Sequence, residues 1–266
     1  MILELHAVDS EEYGGKALEL GRALRAGLPV PPGWALSPAL VERVVLGDSS
    51  ARQRLFAAFA GLGPAAVRSS ALGEDGAGAS FAGQHVSVLN VRTPQGLLEA
   101  VASVYESARS AAALAYRRRL GIATEPRMAV VLQALVPAES AGILFTRNPL
   151  SQADERVIEG SFGLGEAVVA GLVTPDRFRL ARGGALLEQA LGDKDIVIAW
   201  HPDGGTHELE LDAARARELC LNEAQLAELE ALAAACERAF AGAHDIEWAF
   251  AAGRLYLLQR RAITRG

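Results

Sequence analysis

Cysteine is scarce. Cys220 and Cys236 are the only two, too few for a disulfide framework or a four-ligand zinc site. The five histidines (His6, His85, His201, His207 and His244) show no metal-ligand spacing, and none adjoins a cysteine. No run of about 18 apolar residues occurs, so no membrane-spanning helix is expected. The opening Met1-Ile2-Leu3-Glu4 lacks the basic start of a secretory signal, and the expected compartment is the cytoplasm. An excess of 32 acidic over 26 basic residues gives a net charge of -6, which disfavours nucleic acid or an anionic membrane as partner. No Gly-x-Ser-x-Gly elbow is present, and Gly163-Leu164-Gly165 lacks the spacing of a dinucleotide fingerprint.

Lysine is the other scarcity. Only Lys16 and Lys194 are lysines among the 26 basic residues. Where arginine fills the cationic positions, a remaining lysine marks a place that needs a compact ammonium, although coding bias leaves the same trace. Lys16 follows Gly14-Gly15 and is the more interesting of the two.

What is present is ordinary globular chemistry. With 50% hydrophobic and 22% charged residues, 266 residues suffice for one large or two small domains. Helical spacing follows Gly14-Gly15 as far as Gly27, and Leu28-Pro29-Val30-Pro31-Pro32-Gly33 is an extended connector. Leu40 to Ala60 holds two short helices broken at Gly47-Asp48. Ala65 to Arg68 reads as a strand whose end delivers Arg68-Ser69-Ser70. A Gly-, Ala- and Ser-rich loop over 72–84 precedes a strand from His85 to Leu89 and a helix from Pro94 to Arg119. Strands are expected over Met128 to Val136, Gly142 to Thr146, Arg156 to Glu159 and Phe178 to Leu180, with a short helix opening at Gly163-Leu164-Gly165-Glu166. Residues 212–241 read as helical, with Asn222 an N-cap, and Asp245 to Arg261 closes the chain as a hairpin. The order predicts an α+β architecture of two lobes, 1–125 and 126–266.

The hairpin carries the sharpest chemical argument. Ile246, Trp248 and Phe250 alternate with Asp245, Glu247 and Ala249, which gives an apolar and an acidic face. A three-residue turn Ala252-Gly253-Arg254 would set Glu247 opposite Gln259 and Asp245 opposite Arg261. Two carboxylates, an amide oxygen and a guanidinium would then share one patch, suited to Mg²⁺ and a phosphate. A surface salt bridge accounts for the same residues, and a one-residue slip would disperse them. Three further stations suit anions. Gly14-Gly15-Lys16 combines close backbone approach with an ammonium. Arg68 suits a bidentate phosphate contact, with Glu74 or Asp75 as alternative partners. The loop through Ser80-Phe81-Ala82-Gly83-Gln84 suits a lid over phosphates, and an ordinary loop reads the same way. Cys220 and Cys236 fall on expected helices as buried thiols.

In their order these segments resemble one family. The series runs Gly14-Gly15-Lys16, Gly27 to Gly33, Val67-Arg68-Ser69-Ser70, Ser80 to Gln84 and Gly142-Ile143-Leu144-Phe145-Thr146. It continues through Gly163 to Val168, Val173-Thr174-Pro175-Asp176, Asp245-Ile246-Glu247-Trp248-Ala249 and Leu257-Leu258-Gln259-Arg260-Arg261. It resembles the N-terminal, ATP-grasp-like nucleotide-binding domain of phosphoenolpyruvate synthase, pyruvate phosphate dikinase and rifampin phosphotransferase, over residues 14–264.

The resemblance implies ATP and Mg²⁺ as ligands, held between two lobes of mixed or antiparallel sheets with flanking helices. Lys16, Arg68 and Arg261 match residues on the nucleotide phosphates and are the implied catalytic cations. Glu247 and Gln259 match the Mg²⁺ pair, with Asp245 beside them. Ser80 and Gly83 fall in the implied nucleotide loop, and the segment around Gln133 and Leu135 matches the hinge that receives adenine. The family phosphorylates a histidine from ATP, passing on the β-phosphoryl group and leaving AMP and phosphate overall.

The match departs from the family at several points. Ala262 stands where the family carries proline, and the interval from Lys16 to Arg68 is short. The swivelling domain, whose phospho-accepting histidine lies in a Thr-Ser-His-Ala-like motif, is outside the match, as is the third, pyruvate- or rifampin-binding domain. The implied role is the donor half of a dikinase-type phosphotransferase, acting with a separate histidine-bearing domain or substrate-binding protein. A kinase acting directly on a small molecule, a non-catalytic ATP-binding regulatory module and an excised domain of a longer enzyme are the other readings.

Overall fold

The computed structural model describes residues 1–71, 86–119 and 126–263, apart from the side chains of 116 and 117. The expected lid, with Ser80 and Gly83, lies outside the described residues, as do Glu74 and Asp75. The chain divides into two compact units, each assembled from separate stretches of sequence.

The first unit comprises Met1–Leu24, Pro31–Leu135 and His201–Gly205. It holds β1 (Ile2–Glu4), most of α1 (Gly14–Arg25), β2 (Gly33–Leu36), α2 (Pro38–Val45) and α3 (Ser49–Ala60). After these come β3 (Ala65–Ala71), β4 (Ser87–Val91), α4 (Pro94–Ser107), α5 (Ala111–Arg119) and β5 (Met128–Ala134). Five strands form one sheet in the order β1-β2-β5-β3-β4, with every pair antiparallel. Side-chain caps set the helix starts: Asp48 accepts from Ala51 N–H at 2.9 Å and Thr93 from Gly96 N–H at 3.0 Å. Leu36, Val41, Leu55, Val67, Leu97, Val101 and Leu132 are among the side chains that fuse sheet and helices into one apolar core. Burial of each such side chain contributes about 1.5–3 kcal/mol.

The second unit comprises Arg25–Val30, Val136–Trp200 and Thr206–Gly266. It contains β6 (Ser140–Phe145), β7 (Glu155–Phe162), α6 (Glu166–Val169), β8 (Asp176–Ala181) and β9 (Leu186–Ala190). The chain then runs through β10 (Ile196–Trp200), β11 (Thr206–Glu210), α7 (Glu223–Ala239), β12 (His244–Ala251) and β13 (Arg254–Ala262). A six-stranded antiparallel sheet runs β13-β12-β6-β7-β8-β9, and β10 and β11 pair separately. Ile246, Trp248, Phe250 and Phe178 are buried, with Trp248 edge-on to Phe250 at 5.7 Å. α7 begins at a capping box in which Asn222 and Gln225 bond each other's backbone N–H at 3.0 Å.

The α+β class and antiparallel sheets agree with the expectation. The division does not fall at 125/126: β5 lies between β2 and β3, so the first unit runs on to Leu135. The helix expected over 94–119 is two helices, because Ser110 accepts from Ala113 N–H through Oγ and from Leu114 N–H through its carbonyl, restarting the spiral. Residues 212–222 are not regular α-helix. Asp212 turns its carboxylate onto the N–H groups of Ala214 and Arg215, and only a 3-10 turn, Arg215–Arg217, follows.

Candidate functional site

In the first unit the residues expected to handle anions gather at β3. Lys16 lies in the first turn of α1, buried, and its Nζ donates to Ser69 O at 2.8 Å. The helix start is pinned to the strand: Ala17 N–H donates to Ser70 Oγ at 3.0 Å, and that hydroxyl donates to Tyr13 O at 2.8 Å. Gly14 has φ +79°, and a Cβ on it would stand 2.1 Å from Ser70 O. The glycine is thus spent on contact with β3, whereas the sequence suggested close approach to a ligand.

Arg68 is in the middle of β3 rather than at its end, because β5 pairs with β3 residue for residue as far as Ala71 opposite Met128. Its guanidinium donates to Gln133 Oε1 at 3.3 Å, and Gln133 Nε2 donates to Pro31 O at 3.1 Å. The Gln133 side chain is therefore engaged at both ends and buried. Leu135 N–H bonds Pro64 O at 2.9 Å and closes the unit. Ser69 Oγ, beside the carbonyl that Lys16 holds, is buried without a hydrogen-bond partner.

In the second unit the hairpin brings the other set together. Glu247 stands opposite Gln259, and Asp245 opposite Arg261. This is the expected pairing reached by another route. The turn is Ala252-Gly253, with Ala251 paired to Arg254, and the register recovers one residue at a bulge between Glu247 and Trp248, where Leu258 is the extra residue of β13. The same-face row continues across the sheet as Gln259, Glu247, Ile143, Glu159 and Arg177. Glu159 is thus two strands, about 10 Å, from Glu247. Glu159 and Arg177 were missed at the level of sequence. Both sit in strands that carry other charged residues, so nothing in the sequence sets them apart.

The electrostatics of the patch are unbalanced. Asp245 Oδ1 is buried and has no hydrogen-bond partner. Burial pushes the Asp245 carboxyl up to about 6; the Glu247 charge adds to this and Arg261 opposes it. Among the described residues no group of three or more His, Cys, Asp or Glu side chains could hold a metal by itself. Two carboxylates and an amide oxygen are instead a partial shell. Such a set fits Mg²⁺, which retains water and takes phosphate oxygens as its remaining ligands. A divalent cation would supply both the bond that Asp245 Oδ1 lacks and the charge that its ionisation needs.

The pyruvate phosphate dikinase AMP/ATP-binding domain matches residues 49–266. The chain belongs to this family. It is similar to a probable phosphoenolpyruvate synthase of Methanothermobacter thermautotrophicus, 32% identical over 98% of this chain and 45% of that protein. An uncharacterized phosphotransferase of Bacillus subtilis is 32% identical over 96% of this chain and 34% of its own length. A rifampicin phosphotransferase of Streptomyces sviceus is 39% identical over 75% of this chain and 23% of its own. The chain therefore spans less than half the length of these relatives. Similarity to solved structures is remote: the ATP complex of Bacillus anthracis D-alanine–D-alanine ligase gives a TM-score of 0.41 at 11% identity, over 95% of this chain and 56% of that one. The domain is an ATP-binding domain of the dikinase type, and among its described residues no helix is long and apolar enough to cross a membrane.

Proposed function

We propose that this domain binds Mg-ATP and acts as the phosphoryl-donor part of a dikinase-type phosphotransferase. The observation that carries the reading is the Asp245, Glu247, Gln259 and Arg261 patch, with its buried, unpartnered carboxylate oxygen, in a chain of this family. Asp245, Glu247 and Gln259 hold Mg²⁺. Arg261, Lys16 and Arg68 take phosphate oxygens. Mg²⁺ held there would supply neutralisation of phosphate charge.

The protein's own contribution is orientation and charge. Lys16 and Arg68 are held by Ser69 O and Gln133 Oε1, so their cationic heads are preorganised before phosphate arrives. Stabilisation of this kind needs no nucleophile in the domain. The acceptor is a histidine on a separate domain or polypeptide, as the family resemblance implies.

Calorimetry with ATP and Mg²⁺, followed by chromatography of the products, tests the reading. Mg²⁺-dependent binding, with AMP formed once a histidine-bearing acceptor domain is supplied, is the expected result. ADP as sole product with a small-molecule acceptor would replace it with ordinary γ-phosphoryl transfer. Binding without turnover under every acceptor would leave a regulatory module, and absence of binding would overturn the proposal.

A further inference from the structure

Lys194, the second of the two lysines, has no place in the patch. It is 1% exposed, and its ammonium pairs with Asp176 Oδ1, a carboxylate with no exposure at all. Asp176 also accepts from Gly192 N–H at 2.8 Å through Oδ1 and from Cys220 N–H at 2.7 Å through Oδ2. One carboxylate therefore gathers the start of β8 and both ends of the segment 192–220, which carries β10 and β11. A compact ammonium suits a cavity in which the same oxygen also serves a backbone N–H; a planar guanidinium would not. Lys194 Nζ lies 5.7 Å from the centre of the Phe162 ring, which Arg215 also approaches at 4.1 Å.

The gathered segment supports the glycine loop that follows β7. Ile198 O accepts Leu164 N–H at 2.8 Å. Gly163, at φ +77°, is pressed so closely that a Cβ there would lie 2.2 Å from Val197 Cγ2 and 2.5 Å from Ile198 O. Thr206, at the start of β11, lies beside the Glu166 carboxyl and favours its ionised form against the burial that opposes it. The far side of the loop rests on the patch-bearing face: a Cβ at Gly165 would sit 3.5 Å from Ala141 Cβ. Ala141 pairs with Ala249, one same-face step along from Ile143 opposite Glu247. The loop borders the cation patch.

We infer that the buried Asp176–Lys194 pair positions the Gly163–Glu166 loop beside the Mg-ATP patch, through the β10–β11 segment that it anchors. The inference rests on the Mg-ATP reading only for its effect on affinity. Lys194 and Asp176 are positioning residues, and neither is among the patch residues.

A neutral pair of similar shape, Asp176→Asn with Lys194→Met, tests it without leaving an unpaired buried charge. In hydrogen exchange, the amides of 163–166 and 196–211 should exchange faster while α7 and β5 keep their protection. Cys220 should become open to a thiol reagent while Cys236 stays closed. Mg-ATP should bind about tenfold more weakly, as when a supporting residue behind a ligand is lost. Lys194→Arg, which keeps the charge in a larger head, should fall between wild type and the double variant. Unchanged exchange in the loop would overturn the inference, as would faster exchange with unchanged ATP affinity. A uniform loss of protection would do so too, since the pair would then be a general fold element. If the wild-type domain binds no ATP, the proposed function fails by itself, and exchange still decides whether the pair holds the loop.

Discussion

Two sites on opposite faces of the β13-β12-β6-β7-β8-β9 sheet treat charge in opposite ways. On the face toward α7, Arg156 is buried and fully answered. Its guanidinium meets Glu230 at 2.7 Å, Glu237 at 2.8 and 2.9 Å and Thr146 O at 2.7 Å, while Arg182 reaches the same Glu237 at 2.7 Å. On the other face Asp245 keeps an oxygen without a partner, and its ionisation is resisted. A buried polar group left unsatisfied costs stability that a closed network avoids. The unmet carboxylate belongs to the hairpin end, since further along the same face Arg179 is paired with Glu155 and Glu188.

That contrast can be broken from either side. Arg156→Met should have the largest effect, a loss of about 3 kcal/mol, because it removes the buried guanidinium that joins Glu230 and Glu237 and leaves them only Gly183 N–H and Arg182. Urea unfolding measures it, and a loss under about 1 kcal/mol would mean that the network is decorative. Glu247→Ala should leave the melt nearly unchanged and weaken Mg-ATP binding about a hundredfold, about 2.8 kcal/mol. Equal binding by the variant would remove the hairpin from the site.

Acid should act on the closed site. Burial by itself would raise Glu237, but hydrogen bonds from Arg182 and Arg156 outweigh it and hold the carboxyl at about 2, below its ordinary 4.5. A depressed carboxylate stabilises the fold above its unfolded value, and that contribution disappears as pH falls from about 4.5 through about 2. With solvent screening it amounts to about 1–2 kcal/mol. The melting difference between wild type and Glu237→Gln should therefore be full at pH 6 and shrink across that window.

The open site should show the reverse sign. Asp245 is raised from 3.8 to about 6, so its folded-state stability declines as pH rises through that range. At pH 8 without nucleotide, Asp245→Asn should stabilise the domain by about 1 kcal/mol or less while weakening Mg²⁺-dependent binding. A destabilised variant would show that the carboxylate is already satisfied.

Much of the open site was legible in the sequence, because strict alternation in Asp245 to Phe250 leaves only one acidic side. The register was legible in outcome and not in mechanism. A turn one residue shorter and a bulge at Leu258 cancel, and neither has a signature of its own in this stretch. The closed site was not legible, since Arg156, Arg182, Glu230 and Glu237 are scattered over 82 positions and meet only when α7 lies on the sheet. The break at Ser110 was readable as a capping residue inside a helical run. The place of β5 in the first unit was not, since pairing with β2 and β3 is non-local.

The paucity of lysine has a practical consequence. The lysine side chains of this domain are nearly silent to amine chemistry: Lys194 is sealed and Lys16 is 7% exposed. An acylating reagent or an enzyme that modifies lysine meets almost no lysine amine. A mass label on a lysine of the folded domain therefore reports on Lys16, one side chain at the proposed phosphate station, rather than on an average over the surface.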